Sequence, residues 1–203
     1  MAPESSGKLE IMHIADLHPW PHNYDEAVAI QDFLATGVRP INELPERIET
    51  VAGVDVSYEK HGDRFYAGVV VLTFPDLEVI EEQTAVATVT FPYIPGLLSF
   101  RELPVLLDAF RKLENIPDII LADGQGLAHP RRFGIACHLG LWTDVPTIGC
   151  AKKRLCGRHD EPGLEKGSRA NLLLDGDRIG EVVRTRCKVK PMYISPGHKV
   201  DAE

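Results

Sequence analysis

Three consecutive segments of this chain have the composition of β-strands and are separated only by short turns. They are rich in Val, Ile, Thr and aromatic residues, and turn-forming residues lie between them at His61-Gly62-Asp63 and Pro75-Asp76. Strands joined by turns this short run antiparallel. The pattern therefore predicts an antiparallel meander, with strands at Val51–Tyr58, Phe65–Phe74 and Leu77–Phe91.

Further along the chain, the pattern changes to an alternation of helices and strands. Helices predicted at Pro104–Leu113 and Pro130–Leu141 alternate with strands at Ile116–Asp123 and Thr147–Ala151. Helical crossovers of this kind join parallel strands. The order resembles the ribonuclease H-like fold, an α/β (α+β) mixed sheet in which three antiparallel strands are continued by parallel strands, with helices on both faces. The other predicted elements are an outer helix at 24–36, a polar mobile loop at 158–168, a hairpin at 170–174 and 179–185, and an extended piece at 191–194.

Length and composition predict an ordinary globular chain. Its 203 residues suit one domain, with residues 1–23 as an N-terminal extension. No apolar run approaches the ~18 residues that span a bilayer, and the polar start does not resemble a signal peptide, so we expect a cytoplasmic protein. The four cysteines have neither zinc-site nor disulfide spacing and are expected to be free thiols.

Charge is unevenly distributed along the chain. The formal net charge is −8, which argues against a protein held to nucleic acid by general electrostatics alone. Residues 1–100 carry a net charge of −11, however, whereas residues 101–203 carry +3. The second half contains two basic clusters that flank the suspected site, at 152–154 and 184–190, and these could equally form a solvated face.

Three acidic residues are candidates for a metal site. Asp55 lies inside an otherwise apolar strand, where an ionised carboxylate is costly unless a cation compensates it. Asp123 ends a second apolar strand, just before Gly124-Gln125-Gly126, and the topology places these two strands side by side. Two carboxylates on adjacent strands favour binding of a divalent metal ion. Glu102, before the intervening helix, could supply a third oxygen ligand.

Each acid also has a structural explanation. Asp55 could point to solvent, and Asp123 could begin a tight Asp-Gly turn. Glu102 could form a capping box with Ser99. Pro104 weakens that alternative because proline is best tolerated in the first turn of a helix, and it would leave Glu102 in the loop before the helix.

Two other features allow alternative explanations. The proline-stiffened segment Pro92–Leu98 displays an aromatic and an aliphatic side chain, and could plug the core or act as a wedge that parts stacked bases. His13, His18 and His22 lack the spacing of a common zinc site and are interrupted by prolines, so we expect them to be exposed to solvent.

The motifs around these residues resemble those of the endonuclease V family, the repair nucleases for deaminated adenine, whose base is hypoxanthine. The matching segments occur in family order and cover roughly residues 24 to 200. They are Val54–Tyr58, Pro92–Glu102, Asp123–Arg132, Pro146–Lys153 and Pro196–Lys199.

The resemblance implies an endonuclease that recognises inosine and hydrolyses the second phosphodiester bond 3′ to it, leaving 3′-hydroxyl and 5′-phosphate ends. Asp55, Glu102 and Asp123 would hold Mg²⁺, with Mn²⁺ as the alternative. Lys152 would stabilise charge at the phosphate or position the water, and His198 would assist near the metal. The implied wedge is Pro92, Tyr93, Ile94 and Pro95, and the implied base pocket is Gly96, Leu98, Gly124, Gly126, His129 and Leu155.

Two departures from the family pattern accompany this resemblance. Gln125 stands where some members have a histidine, and the helix that usually follows the Gly-His-Lys motif would be absent after Glu203. The expected partner is inosine-containing DNA, or RNA, bound by a monomer away from any membrane. An alternative is a catalytically impaired inosine-binding module. A sugar-kinase-like domain would need a second similar domain, for which the chain has no room.

Overall fold

The computed structural model describes residues 12–59 and 62–202, which form an eight-stranded mixed sheet with three helices. The strand order is β3-β2-β1-β4-β5-β8-β7-β6. The helices are α1 (Tyr24–Ala35), α2 (Ser99–Phe110) and α3 (Ile135–Thr143). The strands are β1 (Thr50–Tyr58), β2 (Arg64–Thr73), β3 (Val79–Thr88), β4 (Ile119–Ala122), β5 (Thr147–Ala151), β6 (Arg169–Leu174), β7 (Asp177–Val183) and β8 (Met192–Pro196).

The predicted order of antiparallel and parallel strands is confirmed. Strands β1, β2 and β3 form the antiparallel meander, and β4 and β5 continue it in parallel from β1. Strands β8, β7 and β6 then extend the sheet antiparallel. The predicted hairpin therefore exists, whereas His61 of the first predicted turn lies outside the described residues.

The helices pack on one face of the sheet, in contrast to the predicted two. Side chains of α2 and α3 share one apolar core with alternate residues of the central strands, such as Ala52, Val54, Ile120 and Ala122. Helix α1 lies outside this layer, where Ala27 contacts the α2 side and Leu34 the α3 side. The opposite face has a small apolar cluster instead, formed by Val51 and Ile119 with Leu44, Ile48, Leu72, Ile148 and Val200.

Helix α2 begins five residues earlier than predicted. Pro104 therefore lies inside the helix, and Glu102 lies in its first turn instead of the preceding loop. An internal proline costs about 3 kcal/mol. Burial of Phe100 and Leu103, each worth about 1.5 to 3 kcal/mol, outweighs that cost. The capping box is also not formed, since the N-cap position is Leu98 and no side chain caps the helix.

Other differences from prediction are local. Helix α3 begins at Ile135 rather than at Pro130, because residues 130–132 form a turn and a bend, with Arg132 at φ +53°, and Gly134 is an extended N-cap. Residues 12–23 pack against the sheet and helices: Met12 is buried in the core, and the N–H of Ala15 donates to the carbonyl of Trp142. All four cysteines are free, as expected. In the described part of the chain, no helix has the length and apolar character that crossing a bilayer requires.

Candidate active site

Asp55 and Asp123 follow a pair of residues that are partners in two adjacent parallel strands. The preceding residues, Val54 of β1 and Ala122 of β4, are paired in the sheet, and the N–H of Asp123 donates to the carbonyl of Val54 at 3.2 Å. The prediction that the two acids lie on adjacent strands is therefore confirmed. Asp55 lies within β1, and Asp123 directly follows the last residue of β4.

The buried acid of this site is Glu102, and not Asp55. Asp55 is exposed, on the sheet face away from the helices, and its Oδ1 accepts a hydrogen bond from the N–H of Val56. The argument that burial of Asp55 calls for a cation is thus wrong. Glu102 is only 8% exposed, and burial together with the charges of Asp55 and Asp123 raises its pKa to about 8.

Lys152 joins the acids from the end of β5. Its ammonium group contacts the Asp123 carboxylate, and this contact raises the pKa of Lys152. Strands β4 and β5 are parallel neighbours. Lys152, which follows β5, therefore lies at the same end of the strands as Asp123, which follows β4. The structure thus places Lys152 beside Asp123, while its predicted action on the phosphate or the water stays a prediction.

The donor set at this edge fits a hard divalent cation such as Mg²⁺ or Mn²⁺. Three carboxyl groups supply the oxygen ligands that such ions take, and their mutual repulsion, expressed in the raised pKa of Glu102, is what a cation relieves. As they lie, however, no three His, Cys, Asp or Glu side chains of the described residues form a group that could hold a metal ion. Coordination therefore requires reorientation of these side chains, including exchange of the Lys152 contact at Asp123.

A cavity of about 640 Å³ opens beside Glu102, Asp123 and Lys152. Its volume is in the range of small-molecule sites. Five of the six predicted base-pocket residues line it: Gly96, Leu98, Gly124, His129 and Leu155.

Gly126, the sixth predicted pocket residue, is not among the residues that line the cavity. Its N–H donates to Ser195 Oγ, and a Cβ placed on it would lie 2.0 Å from the carbonyl oxygen of Pro196. Gly149 of β5 lies on its other side, so close that a Cβ on Gly149 would be 2.4 Å from the Gly126 nitrogen. The glycine is thus required for close backbone packing behind the site, and not for contact with a ligand.

A hydrogen-bond network fixes the carbonyl group of Gly96 at the mouth of the cavity. This oxygen accepts hydrogen bonds from Gln31 Nε2 at 2.9 Å, His129 Nε2 at 2.9 Å and an Arg131 guanidinium nitrogen at 3.3 Å. His129 Nδ1 accepts from the N–H of Arg131, which places the histidine proton on Nε2. Burial lowers the pKa of His129 to about 4, so the ring is neutral near pH 7.

Gln31 completes this network and was missed by the sequence analysis. It is 1% exposed, and its Oε1 accepts a hydrogen bond from Arg131 Nε at 2.6 Å. It lies between Ala27 and Leu34 on the buried side of α1. A glutamine within an apolar helical stripe is the signal that could have identified it, because a buried amide must have hydrogen-bond partners.

The predicted wedge, residues 92–95, has one side chain packed on the core and others exposed to solvent. Ile94 packs against Phe91, Leu97 and Phe100, whereas Tyr93 is 67% exposed beside the cavity. The Arg101 guanidinium lies 5.8 Å from the centre of the Tyr93 ring. Pro95 also lines the cavity, while Pro92 is exposed and outside its lining. The loop therefore has one anchored aliphatic residue and one projecting aromatic residue.

His198 lies at the opposite end of β5 from Lys152, so its predicted role near the metal is wrong. The N–H of His198 donates to Oγ1 of Thr147, the first residue of β5. Its ring contacts Asp144 and the backbone of Arg39. The reason is strand direction: β8 is antiparallel to β5, which carries the following residues away from the site.

A pair of histidines, His18 and His138, links the N-terminal segment to the cavity wall. His138 is fully buried, its Nε2 lies 2.8 Å from His18 Nε2, and its Nδ1 lies 3.1 Å from Oγ of Ser99. Ser99 lines the cavity. The expectation that His18 is exposed is therefore wrong: its ring packs in an aromatic cluster that includes Trp20 and Trp142.

Comparison with known proteins gives consistent matches along most of the chain. The model of the Endonuclease V family matches residues 33–203. Endonuclease V of Nostoc punctiforme is 52% identical over 183 residues, which are 90% of this chain and 83% of that protein. The crystal structure of Streptomyces avermitilis endonuclease V is 44% identical, with a TM-score of 0.83 over 95% of this chain and 84% of that one. Ciona intestinalis endonuclease V, solved with a 23mer DNA containing an inosine followed by a ribo-adenosine, is 25% identical, with a TM-score of 0.74 over 88% of this chain and 83% of that one.

Proposed function

Because this chain belongs to the endonuclease V family and is an endonuclease, we propose that it cuts nucleic acid at inosine. The reaction is hydrolysis of the second phosphodiester bond 3′ to the inosine, leaving a 3′-hydroxyl and a 5′-phosphate. The inosine-containing DNA bound by the Ciona intestinalis relative supports this substrate. All proposed site residues come from one chain, so the proposal requires only a monomer.

The observation that carries this proposal is the group formed by Glu102, Asp123 and Lys152 at one side of the cavity, with Asp55 next to Asp123. The buried acid Glu102 and the exposed base Lys152 therefore lie beside a cavity that is large enough for a nucleobase. In this proposal, Asp55, Glu102 and Asp123 hold Mg²⁺, or alternatively Mn²⁺. The bound ion supplies Lewis acidity at the phosphate and lowers the pKa of water.

The remaining residues orient the substrate and balance charge. Lys152, released from Asp123, places its ammonium group against the charge that develops on the phosphate. The backbone N–H groups of Gly96 and Gly124 line the pocket and select the base by hydrogen bonds at close range. Neutral His129 shapes the pocket wall, since both of its ring nitrogens are already hydrogen-bonded. Tyr93 fills the space that the extruded nucleotide leaves in the strand.

The test is a nicking assay on oligonucleotides that carry one inosine or, as a control, one adenosine. Single-stranded RNA, single-stranded DNA and duplex DNA are compared, with Mg²⁺, with Mn²⁺ and with EDTA. We expect a product cut at the second bond 3′ to inosine, only when divalent metal is present. Extension of the 3′ end by a polymerase checks for the hydroxyl group.

The matched variants are Asp123→Asn and Asp76→Asn. Asp123→Asn should slow nicking by more than about 100-fold while the circular dichroism spectrum is retained. Asp76 lies in the turn between β2 and β3, at the opposite end of the sheet, and its variant should nick normally. Wild-type nicking by Asp123→Asn would reject the site. Retention of the inosine oligonucleotide without product would favour a binding module that has lost catalysis.

A further inference from the structure

Two surface loops lie at the same end of the sheet as Lys152. Strand β5 ends at Ala151, which pairs with Tyr193 near the start of the antiparallel strand β8. The chain before β8 therefore lies beside the chain after β5. The first loop covers residues 152–168, between β5 and β6, and the second covers residues 184–191, between β7 and β8.

The second loop is strongly basic and exposed. Arg186, Lys188 and Lys190 are all exposed, and none of them makes an ion pair with a carboxylate of the described residues. The cavity rim continues this charge through Lys153 and Arg154. Some exposed arginines elsewhere in the structure, such as Arg47 and Arg111, have carboxylate partners, whereas Arg64 has no ion pair among the described residues.

The buried side chain of Arg184 connects the two loops by hydrogen bonds. It is only 4% exposed, and its guanidinium donates to the carbonyl groups of Gly163 at 2.6 Å, Pro162 at 3.1 Å and Val189, and to Glu161 Oε1 at 2.9 Å. The first loop is therefore held in place rather than mobile, contrary to prediction. Backbone hydrogen bonds add to this clamp, including one from the N–H of Lys188 to the carbonyl of Leu164 at 2.9 Å.

This clamp has an electrostatic cost that a polyanion would offset. Three cations within five residues repel one another, and Lys188 is also held in the left-handed region at φ +59°. The nearby acids are already engaged, since Glu161 pairs with Arg184 and Glu165 contacts the Cys187 thiol. A solvated loop would relax by spreading its charges, whereas this one is fixed with its cations exposed. A polyanion such as a nucleic-acid backbone carries the charge that would balance them.

We propose that residues 185–190, held by Arg184, are a second nucleic-acid contact surface that binds backbone phosphates outside the base cavity. The identity of the nucleic acid rests on the proposed function. The contact itself carries no sequence information, because it reads the phosphate backbone and not the base. The phosphate contact would raise the affinity for the nucleic acid and fix the position of the bound strand relative to the cavity.

The experiment measures binding in EDTA by fluorescence anisotropy, so that no cleavage occurs. Inosine-containing and inosine-free oligonucleotides are titrated at several salt concentrations with wild type and with the double variant Lys188→Ser/Lys190→Ser. We expect about tenfold weaker binding of both oligonucleotides at 50 mM salt. The slope of log K against log salt should fall by about 1.8 for duplex DNA and about 1.4 for a single strand.

The matched control is Arg47→Ser/Arg111→Ser, which removes the same charge from exposed sites away from this edge. An affinity and slope for Lys188→Ser/Lys190→Ser equal to those of the control would overturn the proposal. Arg184→Lys keeps the charge but loses most of the clamp, and should also bind more weakly. Since Lys188 and Lys190 are exposed, the double variant decides the outcome even where Arg184→Lys does not fold. Failure of inosine cleavage would reject the proposed function and leave this binding result standing.

Discussion

The N–H of Asp123 donates a hydrogen bond to the carbonyl of Val54, which fixes the backbone of one acid to the strand that carries the other. Val54 pairs with Ala122 in the parallel ladder between β1 and β4, and Asp55 and Asp123 are the residues that follow this pair. Two carboxylates placed in this way have little freedom in their separation beyond side-chain rotation. The site therefore combines a fixed backbone with carboxylate side chains that can still rotate.

Lys152→Ala should lower the single-turnover rate of cleavage by about 100-fold and leave the affinity for the oligonucleotide within a few-fold. The reason is that its ammonium group contacts Asp123 and would act on charge that develops only during the reaction. Rapid-quench kinetics with enzyme in excess separate the two quantities. Lys112→Ala, at the far end of α2, is the control. A Lys152→Ala enzyme that binds poorly but reacts at the normal rate would reassign this residue to binding.

Tyr93→Ala should weaken binding of inosine-containing duplex DNA by about tenfold and have a smaller effect on inosine-free duplex DNA. In the proposed function, the exposed ring would stack where a nucleotide has left the strand, and ordinary duplex DNA offers no such gap. Anisotropy titrations in EDTA measure the ratio of the two affinities. Phe74→Ala removes another exposed aromatic side chain, at the end of β2, and serves as the control. Equal weakening of both duplexes would remove the argument for a wedge.

Gln31→Ala should reduce discrimination between inosine and adenosine, because the Gly96 carbonyl loses its amide donor at the cavity mouth. It should also lower the free energy of unfolding by about 1 to 3 kcal/mol, since buried polar groups of Arg131 and Gly96 each lose a partner. Cleavage rates on the two oligonucleotides and urea titrations measure these effects.

Gln31→Glu tests the amide donor alone. This variant keeps an acceptor for Arg131, but when ionised it places an oxygen against the carbonyl oxygens of Gly96 and Phe133, to which the Gln31 amide donates. We expect discrimination to stay low and the free energy of unfolding to fall at least as far as in Gln31→Ala, because a buried charge would face two acceptors. Gln83→Ala, a part-buried glutamine on β3, is the control for amide removal. Normal discrimination in both Gln31 variants would limit this residue to a structural role.

Acidification should destabilise the folded protein through its buried histidines. Burial lowers the pKa of His138 well below its usual value and that of His129 to about 4. The unfolded chain takes up these protons below about pH 6.5 while the folded chain does not. The contribution of each histidine to stability is therefore full above that pH and falls on acidification, by up to about 1.4 kcal/mol per pH unit. Glu102, whose pKa is raised to about 8, acts in the opposite direction, so the comparison of wild type with a histidine variant isolates the histidine contribution.

Urea unfolding at pH 7.5 and pH 5.0 measures this loss. His138→Gln should narrow the difference in unfolding free energy between the two pH values, although the variant is less stable at both. His13→Gln, on an exposed side chain, is the matched substitution. An equal pH dependence in wild type and His138→Gln would show that His138 contributes no proton linkage.

Local sequence patterns predicted those parts of the structure where local and tertiary preferences agree. Strand β5 has the predicted bounds, Thr147–Ala151, and the two aspartates lie on the adjacent strands where topology placed them. The start of α2 was missed because the penalty for Pro104 is local, whereas the burial of Phe100 and Leu103 depends on the rest of the fold. The sequence left open whether Asp55 is buried or points to solvent, since period-2 alternation alone does not say which face is covered, and the structure shows the solvent-facing alternative.

Contacts between distant segments were beyond local patterns. The convergence of Gln31, His129 and Arg131 on one carbonyl depends on how α1 packs against the loop after β4. The direction of β8, which removes His198 from the site, depends on a sheet pairing that no turn specifies. Conversely, residues 184–190 were recognised as basic from sequence, but their fixation by a buried arginine was not.

The loop that begins with Asp123 is held between neighbouring backbones with no room for a side chain at Gly126 or Gly149. Even a methyl group at either position would displace main-chain atoms of the segment 124–126 or of Pro196, close to Asp123. A substitution at these two positions should therefore disturb the site without touching a ligand. Two glycines, Gly126 and Gly149, are thus positions at which substitution by any larger residue should be poorly tolerated.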